Sequence, residues 1–169
     1  MFEDEASFWL DGTLHRTWAR VGCQPRVDSY GMRKTAHLFG AIRTDDADFS
    51  YSFAQVFDGR TFWQFLKHLV RKYDGQKLFL NIDNGPCHNL PEEGKRWLQA
   101  NGNRIELHRL PPYSPEFNPM EPVWKVTRKM TTHNRFYATT TERDTALRKT
   151  FATFQRRPAL ISAHVARLH

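Results

Sequence analysis

Asp83 and Asn84 close the stretch Lys77–His88, KLFLNIDNGPCH, in which the apolar residues Leu78, Phe79, Leu80 and Ile82 lead into a Gly85–Pro86 stop. This is the pattern of a buried strand running into a turn. At that strand's carboxyl end a core element first meets water, the usual place for a ligand crevice in an open α/β sheet. A carboxylate there is stabilised by a partner, and a metal ion is one such partner. Alternatively, Asp83 and Asn84 open the turn by bonding their own backbone. A second acidic pair, Asp4–Glu5, precedes the apolar run Phe8-Trp9-Leu10. A third acid, Glu121, lies in Asn118-Pro119-Met120-Glu121, which reads as a capping box with Asn118 as N-cap, Pro119 first in the helix and Glu121 third. Such a fixed helix start also aims Glu121 at the acids on the sheet. Helical spacing places Lys125 and Arg128 on its face, with Val123, Thr127 and Met130 turned to the core. A carboxylate flanked by cations suits a site that holds both metal ions and phosphates. Cys87–His88 offers two zinc ligands, but the spacing of a second pair is missing, and zinc is set aside.

The elements that must position these acids follow from periodicity. The first third reads as an antiparallel meander: a strand ending near Leu10, an Asp11–Gly12 hairpin turn, a strand at His15–Arg20, and strands at Ala36–Arg43 and Phe49–Phe57. Asp58–Gly59 opens a helix over Arg60–Tyr73, with Phe62, Phe65, Leu66, Leu69, Val70 and Tyr73 on its apolar face. After the strand at Lys77–Asp83 come a helix at Pro91–Ala100 capped by Asn101–Gly102 and a strand at Arg104–Leu110. A stiff connector, Pro111–Pro115, leads to helices at Pro119–Thr131, Thr141–Gln155 and beyond Pro158. Strands first, then strands alternating with helices, predict an α/β mixed sheet with helices on its faces.

The chain of 169 residues fits one domain, with 40% hydrophobic and 25% charged residues. No apolar run approaches the roughly 18 residues of a membrane span. Cys23 and Cys87 are the only cysteines, which fits a reducing, cytoplasmic setting. The net charge of +7 is uneven: from Lys125 to His169 ten Lys/Arg face two acids. A basic carboxyl-terminal quarter on a near-neutral body points to a polyanion, nucleic acid first, or else to solvated surface helices.

The run Leu110–Trp124, LPPYSPEFNPMEPVW, resembles the signature of DDE-superfamily transposases of the Tc/mariner type, above all their bacterial insertion-sequence relatives. Asp83-Asn84 with His88, the opening Asp4-Glu5-Ala6, the set Arg16, Trp18, Ala19, Gly22 and Pro25, and His133–Phe136 are similar to that family's other motifs. The resemblance implies a ribonuclease-H-like fold over residues 1–169 and a catalytic, metal-binding triad of Asp4, Asp83 and Glu121. Glu116 is a rival to Glu121. It further implies two Mg²⁺ or Mn²⁺ ions, and phosphodiester cleavage followed by strand transfer of insertion-sequence DNA. Partners would be double-stranded DNA (element ends and target) and further copies of the chain, at the nucleoid, with no membrane role. Lys125, Arg128, Lys129 and Arg135 become phosphate contacts, with Asn84 and His88 in support. The family's upstream helix-turn-helix domain has no counterpart in these residues. The alternatives are a ribonuclease-H-like nuclease without strand transfer and an inactive DNA-binding or oligomerisation remnant.

Overall fold

The computed structural model describes residues 1–29, 31, 34–112 and 117–165. Among the described residues five strands form one sheet: β1 (Phe2–Trp9), β2 (Thr35–Ile42), β3 (Phe49–Ala54), β4 (Leu78–Ile82) and β5 (Ile105–Arg109), in the order β3-β2-β1-β4-β5. β1, β2 and β3 pair antiparallel, whereas β1 with β4 and β4 with β5 pair parallel. The helices are α1 (Gly59–Lys72), α2 (Glu92–Ala100), α3 (Met120–Thr131), α4 (Thr140–Arg156) and α5 (Ala159–Val165). A 3-10 turn, Pro86–His88, lies between β4 and α2.

Strand alternation sorts the core into two layers. On one face Ala6, Phe8, Leu38 and Phe49 pack against Val123, Trp124, Phe151 and Phe154 of α3 and α4. On the other, Phe39, Leu78, Leu80, Ile82 and Ile105 pack against Phe62, Phe65, Leu66 and Leu69 of α1. The apolar stripe expected for α1 is that second layer. Its start is a full capping box, in which Asp58 accepts the amides of Arg60 and Thr61 while Thr61 accepts the Asp58 amide.

Three expectations are corrected. Residues 15–20 form no strand, and the chain from Asp11 to Lys34 is a long excursion that returns where the Leu10 amide meets the Lys34 carbonyl at 2.8 Å. The reason is topological. β2 and β4 already occupy both edges of β1, so a strand at 15–20 cannot pair back on β1 as a hairpin, and Trp18 and Val21 are left fully exposed. At α3 the cap position is Pro119 and the helix starts at Met120, one residue later than expected; Asn118 accepts the Met120 amide at 3.1 Å, and Glu121 completes no box, its carboxylate going to Lys125. On the same helix Met130 faces water, and Trp124 and Thr131 are buried beside Val123 and Thr127. The Pro111–Pro115 connector and Glu116 fall largely outside the described residues.

Candidate metal-carboxylate site

Parallel pairing of β1 with β4 puts Phe2 opposite Asn81. Two residues further along each strand stand Asp4 and Asp83, and two residues on a strand returns a side chain to the same face. Ala6 and Phe8 show which face that is, since both pack under α3. The topology therefore delivers two carboxylates side by side where the sheet opens. Oxygens of Asp4, Asp83 and Glu5 lie within 4.8 Å of one another.

Each acid is held differently. Asp4 Oδ2 accepts the indole N–H of Trp124 at 3.0 Å, so the helix that carries Glu121 is tied to Asp4. Burial pushes the Asp4 carboxyl up to about 7, Glu5 adds to the rise, and the Trp124 hydrogen bond opposes it. Asp83 Oδ1 accepts the Gly85 amide at 2.6 Å, which leaves its second oxygen for the site. Asn84 does not face the acids; its amide donates to the Leu110 carbonyl at 2.9 Å and fastens the end of β4 to the end of β5.

Glu121 stands apart from the carboxylate cluster. Its oxygen is 3.1 Å from Lys125 Nζ, and both side chains are more than half exposed. Its neighbourhood is nevertheless shared. The half-buried Arg128 guanidinium lies 5.4 Å from the Phe8 ring and interacts electrostatically with both Asp4 and Glu121. Asn118 Nδ2 donates to the Glu3 carbonyl at 3.3 Å, docking the start of α3 on β1 next to Asp4. Lys129 and Arg135 are exposed and line a groove of about 790 Å³ with Arg16, Trp18 and His133.

Sequence reasoning missed Glu3, and the partners of Cys87 and His88, which it did name, were not visible in spacing. Glu3 is fully buried, and His88 nearly so. His88 Nε2 lies 2.9 Å from Glu3 and 3.3 Å from Glu5, and its Nδ1 lies 3.0 Å from Asp83 Oδ1. Burial pushes the Glu3 carboxyl up to about 8, against the pull of His88. The Cys87 thiol, raised mainly by burial, donates to Glu5. Glu5, Cys87 and His88 also bring one donor atom each within 4.8 Å of the others. As it stands Cys87 Sγ and His88 Nε2 of this second group are already engaged in hydrogen bonds to Glu5 and Glu3. The signal available in sequence was the i, i+2 spacing of Glu3 and Glu5, which on a strand means one shared face.

Residues 1–143 match the sequence profile of the DDE superfamily endonucleases. The chain belongs to that family. No curated protein sequence matches it. Its fold is similar to the Mos1 strand transfer complex (TM-score 0.69, 13% identity, covering 99% of this chain and 50% of that one). It is likewise similar to the Mos1 mariner paired-end complex with Mn (TM-score 0.62, 14% identity, 97% and 52%). The catalytic core domain of BIV integrase matches at a TM-score of 0.53 and 15% identity, over 72% of this chain and 76% of that one. The chain spans about half the length of the Mos1 chains it matches. The DDE family and the ribonuclease-H-like mixed sheet expected from sequence are both found. Among the described residues no helix is long and apolar enough to cross a membrane.

Proposed function

We propose that this chain is the catalytic part of a DNA transposase that cuts phosphodiester bonds at element ends and joins the freed 3′ end to target DNA. The observation that carries the reading is the meeting of Asp4 on β1 with Asp83 just past the end of the parallel strand β4, beside the helix whose first turn holds Glu121. The donor set fits Mg²⁺ or Mn²⁺: the gathered ligands are carboxylate oxygens, and burial has already raised Asp4 so that a cation relieves it. Asp4, Asp83 and, once its side chain leaves Lys125, Glu121 would hold the divalent ions. Glu5 is a further oxygen donor within reach. When bound, the ion pair supplies activation of the attacking oxygen and stabilisation of the departing 3′-oxygen.

The residues of the chain do the positioning. The Trp124 indole fixes the orientation of Asp4, and the Gly85 amide fixes that of Asp83. Arg128 balances the clustered negative charge and stands ready for a phosphate that enters. Lys125, once released by Glu121, with Lys129 and Arg135, would contact the DNA backbone. The Mos1 neighbours are a strand transfer complex and a paired-end complex, which supports DNA as partner and action by several copies on it.

Asp83→Asn tests the reading. Calorimetry with Mn²⁺ and nicking of supercoiled plasmid should both show wild-type activity, and the variant should lose nicking by at least about 10³-fold, equivalent to roughly 4 kcal/mol of barrier. Equal nicking by the two proteins, or no Mn²⁺ binding by the wild type, overturns it. Joining of a labelled 3′ end to plasmid separates a transposase from a plain nuclease.

A further inference from the structure

We infer that Glu3, a residue outside the carboxylate triad, is a positioning residue for the metal site and acts on Asp83 through His88. The inference rests on the function proposed above, because it concerns the same site. Glu3 and Asp4 are consecutive on β1 and therefore face opposite sides of the sheet. Asp4 looks toward α3, whereas Glu3 is buried on the α1 side, at the margin of that apolar layer and close to Glu5. Its polar contact there is His88, whose Nε2 lies 2.9 Å from Glu3 Oε2.

The imidazole continues the connection. It stands edge-on to Phe62, with ring centroids 4.6 Å apart at 73°, so packing restrains its rotation. Its Nδ1 reaches Asp83 Oδ1 at 3.0 Å, too bent for a hydrogen bond but at contact distance for charge. The Gly85 amide takes the same oxygen. A Cβ on Gly85 would stand 2.9 Å from Asp83 Oδ1 and 3.6 Å from His88 Nδ1, so the turn is closed around the carboxylate. With one oxygen occupied from two directions, Asp83 presents the other to the cation. Glu3 thus reaches across the sheet to orient a ligand it does not touch, the arrangement by which outer carboxylates orient metal-binding groups.

A buried pair kept for stability alone is the competing account, and two details go against it. Glu3 Oε1 has no hydrogen-bond partner, whereas a pair built for stability would satisfy both oxygens. Apolar side chains of similar volume would also stabilise this layer at least as well.

The experiment compares wild type, Glu3→Gln, His88→Gln and the double variant, each checked for a cooperative melt. Mn²⁺ affinity by calorimetry without DNA should fall about 10- to 100-fold in each single variant. The double variant should fall no further than the weaker single one, since residues acting in one chain are not additive. DNA affinity without metal should be unchanged, and Glu3→Gln should melt no lower than wild type. In ¹H–¹⁵N NMR spectra of the metal-free protein, Glu3→Gln should move the His88 ring-nitrogen resonances. Unchanged Mn²⁺ affinity in Glu3→Gln, or additive losses in the double variant, overturns the inference while leaving the triad intact. If Glu3→Gln does not fold, His88→Gln carries the comparison, with unchanged Mn²⁺ affinity again overturning it. A wild type that binds no Mn²⁺ instead removes the transposase reading itself.

Discussion

Burial keeps the carboxyl of Asp4 near pH 7 in its proton affinity, and the Trp124 indole N–H is the contact that restrains the rise. Trp124→Phe preserves most of the ring packing but removes that donor. The Asp4 carboxyl should then hold its proton more tightly, so Mn²⁺ must displace more of it. Mn²⁺ affinity should drop roughly 10-fold at pH 6.5, the scale of one hydrogen bond to a charged group, and should approach wild type at pH 9. A titration at the two pH values checks this. Asp83 could be read from sequence because an apolar run delivered it to a strand end. The place of Glu121 in a first helical turn could be read because Asn118 and Pro119 mark a helix start. Glu3 could not, since an acid next to an acid looks like an exposed strand tip until a partner from 85 residues away is placed beside it. Trp124 was legible as core, and its hydrogen bond to Asp4, 120 residues away, was not.

At the scale of elements, strands with clear alternation and helices with clear stripes fell close to their expected ranges, because local pattern and tertiary packing agree there. The excursion after Asp11 is where they part: local composition suited a strand, but both sides of β1 are already taken by β2 and β4. That excursion is pinned instead by side chains. Asn134, at φ +55, exchanges hydrogen bonds with the amide and carbonyl of His15, and the His15 and His133 rings stack at 4.6 Å. A tighter constraint lies between β2 and α3. Gly40 pairs with Asp4 across the ladder, and a Cβ there would come within 2.5 Å of the Trp124 ring and 2.8 Å of Met120. Gly40→Ala should therefore destabilise the fold by about 1–3 kcal/mol. It should also displace the indole from Asp4. Thermal melting and plasmid nicking, read together, should both decline, and a variant with normal melting and normal nicking would contradict the packing described.

For the molecule as a whole, the acids of the site oppose folding as they ionise. Glu3 rises from 4.5 to about 8 and Asp4 from 3.8 to about 7, so the folded state binds more protons than the unfolded chain across that interval. Stability must then fall as pH rises from about 4 to 8. His88 acts in the same direction: its pKa is raised in the fold, so its contribution is full below its unfolded value and is lost as pH climbs through the folded one. Metal-free protein should melt several degrees lower at pH 8 than at pH 5.5. Millimolar Mn²⁺ should recover much of the difference at pH 8, because a ligand bound to the folded state alone stabilises it by mass action. Scanning calorimetry at both pH values, with and without the ion, measures this.

The pairing of Phe2 with Asn81 acts as a ruler for everything beyond it. Inserting a single residue between Asp4 and Ala6 would leave a ladder that still zips around the buried Ala6 and Phe8, yet would turn that acid to the opposite side of the sheet. Such a frame-shifted strand would yield a protein of familiar shape with its charges facing the wrong helix. In this fold, chemistry is the more fragile inheritance, and a one-residue indel is enough to disconnect it from the architecture.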